Sequence, residues 1–166
     1  MLSEKLVKAL NDQMTYELHA GYIYIQMASY FHDQNLPGMA KWMEMQAQEE
    51  AGHAMKFYGY LHSRMAHAEF GELAKPTPSY GSPIDAFKAA MEHEKSVTSR
   101  IYKLLEIAQD EKDHPTVSFL QWFVDEQVEE EANVDEVIQR LEQVGDFRPG
   151  LYFLDKELGS RTVTAE

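Results

Sequence analysis

The sequence predicts an all-α fold: a four-helix bundle with a long crossover loop between its second and third helices and a short C-terminal fifth helix. Three observations predict it. Apolar residues recur at alternating spacings of three and four through four long stretches. The breaks between the first and second stretches, and between the third and fourth, are short, which makes each pair of helices antiparallel. The remaining break, 65–82, is long enough to run the whole length of a helix. About 18 extended residues at roughly 3.3 Å each reach about 59 Å, whereas a helix of about 28 residues is about 42 Å long. The second and third helices should then be parallel. At 166 residues the chain 1–166 is expected to be one domain, with the bundle over roughly 3–145, the fifth helix over roughly 150–160 and a frayed tail after it.

Each element follows from local chemistry. Ser3 is a plausible N-cap, and Val7, Leu10, Met14, Glu17, Gly21, Tyr24, Ala28 and Phe31 form the first seam. Asn35-Leu36-Pro37 reads as a cap with proline in the first turn of the second helix, whose seam is Leu36, Met39, Met43, Gln46, Glu50, His53, Phe57 and Tyr60. The breakers Lys75-Pro76-Thr77-Pro78 and Gly81-Ser82-Pro83 mark the crossover. Ser82, Pro83 and Asp85 supply an N-cap, a first-position proline and a first-turn acid for the third helix. Its seam is Ile84, Phe87, Met91, Glu94, Thr98, Ile101, Leu105 and Ala108. The polar cluster 109–113 with Pro115 opens the fourth, with Leu120, Phe123, Gln127, Glu130, Val134, Val137 and Leu141, stopped by Gly145. Leu151, Leu154 and Leu158 line one side of a fifth helix too short to stand alone in water. They are expected to dock between subunits, since a bundle closed by four seams leaves no groove for them.

Composition narrows the function. A formal charge of -13 argues against nucleic acid and anionic membranes as partners and is compatible with attracting cations. The absence of cysteine removes disulfides, thiol nucleophiles and thiolate metal sites. The start, Met1-Leu2-Ser3-Glu4-Lys5, enters a helical pattern without a signal peptide, and no apolar run approaches membrane-spanning length. A cytoplasmic protein is expected.

The four seams share a feature that an ordinary core does not have. Each is apolar except near its middle, where Glu17 stands on the first, Glu50 and His53 on the second, Glu94 on the third, and Gln127 and Glu130 on the fourth. Packing the seams together brings all six groups to one depth. Residues three apart on a helix face one spot, so Glu50-x-x-His53 forms half of a site suited to iron, manganese or zinc. Four buried carboxylates without counter-charge would cost several kcal/mol each, and a metal pair removes that objection. The di-iron carboxylate bundle takes a Glu from each of two helices and Glu-x-x-His from the other two. Here Gln127-x-x-Glu130 replaces the second Glu-x-x-His.

With these motifs, Tyr16-Glu17-Leu18, Gln48-Glu49-Glu50-Ala51-Gly52-His53, Glu94 and Gln127-Val128-Glu129-Glu130, the whole chain resembles a bacterial non-haem ferritin subunit. The resemblance implies oxidation of Fe(II) by dioxygen or hydrogen peroxide and storage of the ferric product inside a homo-oligomeric shell of 24 subunits. It implies two irons per subunit: Glu17, Glu50 and His53 would hold the first, Glu50 would bridge, Glu94 and Glu130 would hold the second, and Gln127 would lie on the oxygen-binding side. Tyr24 matches a family tyrosine that would hydrogen-bond the site or lend an electron, an ordinary core tyrosine being the other reading. Glu49, Glu126 and Glu129 match the third iron site of prokaryotic ferritins, although a solvated acidic run has the same appearance. Trp122, beside the fourth seam, either lies near the site or is an ordinary core tryptophan, the latter being the preferred reading.

Related classes predict other residues. A bacterioferritin would have a second Glu-x-x-His and a haem-ligating Met before the first His; position 52 is Gly and position 130 is Glu, so no haem is expected. A rubrerythrin-like di-iron peroxidase would also need the second Glu-x-x-His and a cysteine-bound iron. A metal-free helical interaction bundle accounts for the crossover but not for six polar groups at one depth. His19, His32, His62, His67, His93 and His114 show no ligand spacing and are expected mostly on the surface.

Overall fold

The computed structural model describes residues 1–161. They form α1 (Glu4–Asp33), α2 (Pro37–Ser63), α3 (Pro83–Asp110), α4 (His114–Val144) and α5 (Arg148–Leu158), with no strand among the described residues. Ser3 accepts the Leu6 N–H at 3.1 Å, Ser82 the Asp85 N–H at 3.3 Å and Asp113 the Thr116 N–H at 3.0 Å, so three helices begin on side-chain caps. Asp113 does more than cap α4. The Arg64 guanidinium donates to both of its oxygens at 2.8 Å, which ties the end of α2 to the start of α4. That fork holds the Asp113 carboxyl well below the usual carboxylate range.

The crossover runs the full length of the bundle, as its length allows. The Asn11 amide donates to the His67 carbonyl, the Gly71 N–H donates to Thr15 Oγ1, and Tyr80 packs on Tyr30. Loop and α1 therefore advance together from one end to the other. Phe87, in the first turns of α3, packs on Phe31 and Trp42. Thus α3 starts at the end where α2 starts, and the two are parallel. Along the bundle axis α1 packs on α2, α3 packs on α4, and α1 meets α3.

Two apolar clusters fill the interior. One, near the start of α2, gathers Tyr24, Met27, Phe31, Met39, Met43, Phe87 and Val134. The other, near its end, gathers Leu6, Leu10, Met14, Phe57, Leu61, Ile101, Leu120 and Phe123. By chain position Glu17, Glu50, His53, Glu94, Gln127 and Glu130 fall between them on every helix, and all six are buried.

Three expectations are corrected. Asn35 is not a cap: it takes φ 56° and closes α1, while Leu36 stands at the start of α2 without a side-chain cap bond. The Met39 N–H is instead met by Asp155 Oδ1 of α5 at 2.8 Å. In addition, Leu154 and Leu158 do not wait for a neighbouring subunit. They are buried in their own chain within the cluster of Met39 and Trp42, with Leu151 packed beside them. Four seams close the sides of a bundle but not its end, and α5 covers that end through α2 and α4. Its outward aromatic residues are Tyr152 and Phe153. Arg161, expected in the frayed tail, donates to Glu49 at 2.9 Å and lies over Trp42; the rest of that tail, 162–166, lies outside the described residues.

Gly38 makes the closure of the end possible, since a Cβ there would lie 1.7 Å from the Asp155 carbonyl oxygen. Gly38→Ala is expected to push α5 off the start of α2 and destabilise the subunit by about 1–3 kcal/mol, read as a lower midpoint in chemical denaturation. An unchanged midpoint would contradict the docking of α5.

Candidate metal centre

The buried layer is a set of carboxylates in which some oxygens are held by protein donors and others are not. On α1, Gln13 stands one turn before Glu17 and its Nε2 donates to Glu17 Oε1 at 2.8 Å. On α2, Gln46 stands one turn before Glu50 and its Nε2 donates across to Glu130 Oε2 at 2.7 Å. Tyr24 O–H donates to Glu94 Oε1, and Gln127 Nε2 donates to Glu94 Oε2 at 3.2 Å and to Thr98 Oγ1 at 3.2 Å. His53 places Nδ1 3.3 Å from Glu50 Oε2 and Nε2 3.8 Å from Glu126 Oε1.

Glu17 Oε2, Glu50 Oε1 and Gln46 Oε1 are buried and have no hydrogen-bond partner among the described residues. A buried acceptor left in this way costs about 1–3 kcal/mol, and more if it is charged. The groups also crowd one another. Ligand atoms of Glu17, Glu50 and His53 lie within 4.8 Å of one another, and so do those of His53, Glu126 and Glu130. Orphaned oxygens beside an imidazole are the donor set of a divalent transition-metal ion, so the residues fit a bound cation.

The electrostatics agree. Burial pushes the carboxyls of Glu17, Glu50 and Glu94 above the usual range, and for Glu50 the charge of Glu94 adds to the rise. Glu130 is pushed up to about 8 by burial and by Glu94. Burial alone would lower His53, but hydrogen bonds to Glu126 and Glu50 and the charge of Glu50 lift it to about 11. A cation entering the layer near neutral pH must therefore displace protons from Glu130 and His53.

The sequence-predicted residues do not all share one position. Glu17, Glu50 and His53 converge. Glu94, held by Tyr24 and Gln127, reaches them through its charge on Glu50, and Glu130, held by Gln46, through its shared ligand distance with His53. Of the three flanking acids, Glu126 faces His53, Glu49 is paired with Arg161, and Glu129 is exposed. Trp122 packs edge-on against His53, with ring centres 5.4 Å apart, and carries Lys56 over its face. Four of the other histidines are exposed, but His19 and His93 are only partly so, and His93 stacks on Tyr16. Sequence reasoning missed Gln13 and the direction taken by Gln46. The signal was available, since each is a glutamine four residues before a seam glutamate, a spacing that places it on the same face.

A helical bundle with a mid-height carboxylate and histidine centre defines the class, and the comparisons with known proteins agree. The family model for a ferritin-like domain matches residues 7–144. A Staphylococcus aureus (strain MRSA252) protein named bacterial non-heme ferritin is 45% identical over the full length of both chains. Among solved structures, an open pore ferritin from the hyperthermophilic archaeon Archaeoglobus fulgidus superposes with a TM-score of 0.96 at 43% identity, covering 98% of this chain and 100% of that one. A humanized archaeal ferritin gives 0.98 at 44%, covering 99% and 100%. The chain belongs to the ferritin family.

The raised Glu130 carboxyl gives a pH test. A group that holds its proton more tightly when folded contributes stability that is full below its ordinary value, 4.5, and is lost as pH rises through about 8. His53, also raised, acts in the same direction at higher pH. The Tm of metal-free protein is therefore expected to fall as pH rises across that window, and Glu130→Gln, neutral throughout, to flatten the fall. A parent Tm that rises through the window would contradict the burial of these acids.

Proposed function

We propose that the protein stores iron: it oxidises Fe(II) at a pair of positions within each bundle and deposits the ferric product inside a shell of 24 copies. The observation that carries this reading is the place of Glu50. It shares one ligand cluster with Glu17 and His53, and it feels the charges of both Glu17 and Glu94. A carboxylate so placed can serve two cations at once. Glu17, Glu50 and His53 would hold the first iron, and Glu50, Glu94 and Glu130 the second.

The chemistry balances on that arrangement. Two Fe(II) ions each give up one electron, and dioxygen takes both with two protons to leave as hydrogen peroxide, which is itself an oxidant for further Fe(II). The protons displaced by the arriving cations are at hand. Carboxylates suit the harder Fe(III) product. Tyr24, held on Glu94 by its O–H, is placed to fix that ligand and to lend an electron. Gln127, bonded to the other Glu94 oxygen and to Thr98, borders the space where the oxidant would enter. A third iron would sit against Glu126, with Glu49 and Glu129 alongside, once Glu49 is released by Arg161.

The names of the relatives, ferritins of bacterial and archaeal origin, support storage in a shell. The outward aromatics Tyr152, Phe153 and Phe147 offer apolar surface for contacts between copies. No described helix is long and apolar enough to cross a membrane, and a cytoplasmic place is part of the proposal.

Anaerobic titration with Fe(II) is expected to find at least two tight sites per chain in an assembly of 24 chains of 19.1 kDa. One site or none would sink the reading. Glu130→Ala should weaken the second site at least tenfold while leaving the first near its parent affinity, because truncating a metal ligand removes its contact outright and even outer partners are worth 10–100-fold. Equal losses at both would mean the ligands are wrongly divided.

A further inference from the structure

We infer that Gln13, locked from behind by Arg100, is a positioning residue that makes Glu17 a one-oxygen ligand and so sets how many ligands the first iron has. This rests on the proposed role of Glu17.

The two oxygens of Glu17 are not equivalent. Oε1 receives the Gln13 amide at 2.8 Å, whereas Oε2 is buried with no hydrogen-bond partner among the described residues. An oxygen already accepting an N–H has less electron density to offer a cation, so metal takes Oε2 and Oε1 is held back. For this to persist the amide must not turn over. A glutamine has two nearly isosteric faces, and a half-turn would present its carbonyl oxygen to the carboxylate.

Arg100 prevents that turn. Its Nε donates to Gln13 Oε1 at 3.1 Å. A guanidinium has donors only, so a flipped amide would set N–H against N–H at one end and oxygen against carboxylate at the other. Arg100 is itself fixed, since its Nη2 donates to the Asp12 carbonyl at 3.1 Å and its plane lies 4.1 Å over the Tyr16 ring. Tyr16 shares a 2.8 Å hydrogen bond with Ser96 of α3. The chain from Arg100 through Gln13 to Glu17 carries a positive charge at its outer end, which polarises the amide and strengthens the N–H on Glu17.

The other end of the layer lacks this device. Gln46 donates to Glu130 Oε2 at 2.7 Å, but its own Oε1 is buried without a partner among the described residues, so no cation stands behind it. The two iron positions are thus unequal. Glu17 is held with one oxygen toward the cation, whereas Glu130, whose glutamine has no such lock, can turn, even though Glu94 beside it is held at both oxygens by Tyr24 and Gln127.

The test uses the full chain, stripped of metal and titrated anaerobically with Co(II), whose d–d absorption weakens as ligands are added. Gln13→Leu frees Glu17 Oε1. It is expected to bind as many cobalt ions as the parent, but with a loss of d–d intensity per cobalt at the first equivalent. Arg100→Leu keeps Gln13 and lets its amide turn, and its spectrum is expected to fall between the other two. A Gln13→Leu spectrum superimposable on the parent's, with both cobalt ions bound, overturns the inference and leaves the iron pair standing. Should Gln13→Leu fail to assemble, a parent-like spectrum for Arg100→Leu overturns it instead. If Glu17→Ala leaves the first equivalent unchanged, Glu17 is not a ligand and both readings fall.

Discussion

Four carboxylates buried in one layer of a helical bundle are the constraint on which the rest of this structure depends. Glu17, Glu50, Glu94 and Glu130 are at most 2% exposed, and ionised together they would cost several kcal/mol each. The apolar clusters on either side make the layer tolerable by holding the helices at fixed register whatever its charge. The ends of those clusters must then be closed. Arg64 and Asp113 tie one end of the bundle, and α5 covers the other through Leu154, Leu158 and the bond from Met39 to Asp155.

The layer can settle its charge in two ways. Protons can neutralise it, with His53 cationic between Glu50 and Glu126, or metal ions can replace them. Both would be balanced in the same space by the same residues. The cost is stability withheld from the metal-free protein, an exchange that the proposed binding and release of a cargo would explain. The glutamines Gln13 and Gln46 limit that cost by giving two carboxylates a donor, acting one bond further out than the candidate ligands themselves.

What was legible in the sequence was what helical periodicity fixes. Glu17, Glu50, His53, Glu94, Gln127 and Glu130 could be placed at one depth because seams spaced by threes and fours determine both face and height. The crossover's direction followed from its length. Contacts that join residues far apart in the chain were not legible. Nothing local to Gly38 says that the backbone of Asp155 lies against it, and nothing in Arg161 points to Glu49. The docking of Leu154 and Leu158 failed for a related reason, because a seam pattern describes the sides of a bundle and says nothing of its open end. For Glu49, Glu126 and Glu129 the resemblance implied one shared site, but of the three it is Glu126 that turns toward His53.

The most direct test is anomalous diffraction at the iron edge from crystals of the full chain soaked anaerobically with Fe(II). Two peaks inside each bundle are expected, one among Glu17, Glu50 and His53 and the other among Glu50, Glu94 and Glu130, with the Glu50 carboxylate touching both. A single peak in the layer, or iron found only against exposed acids such as Glu129, would contradict the account.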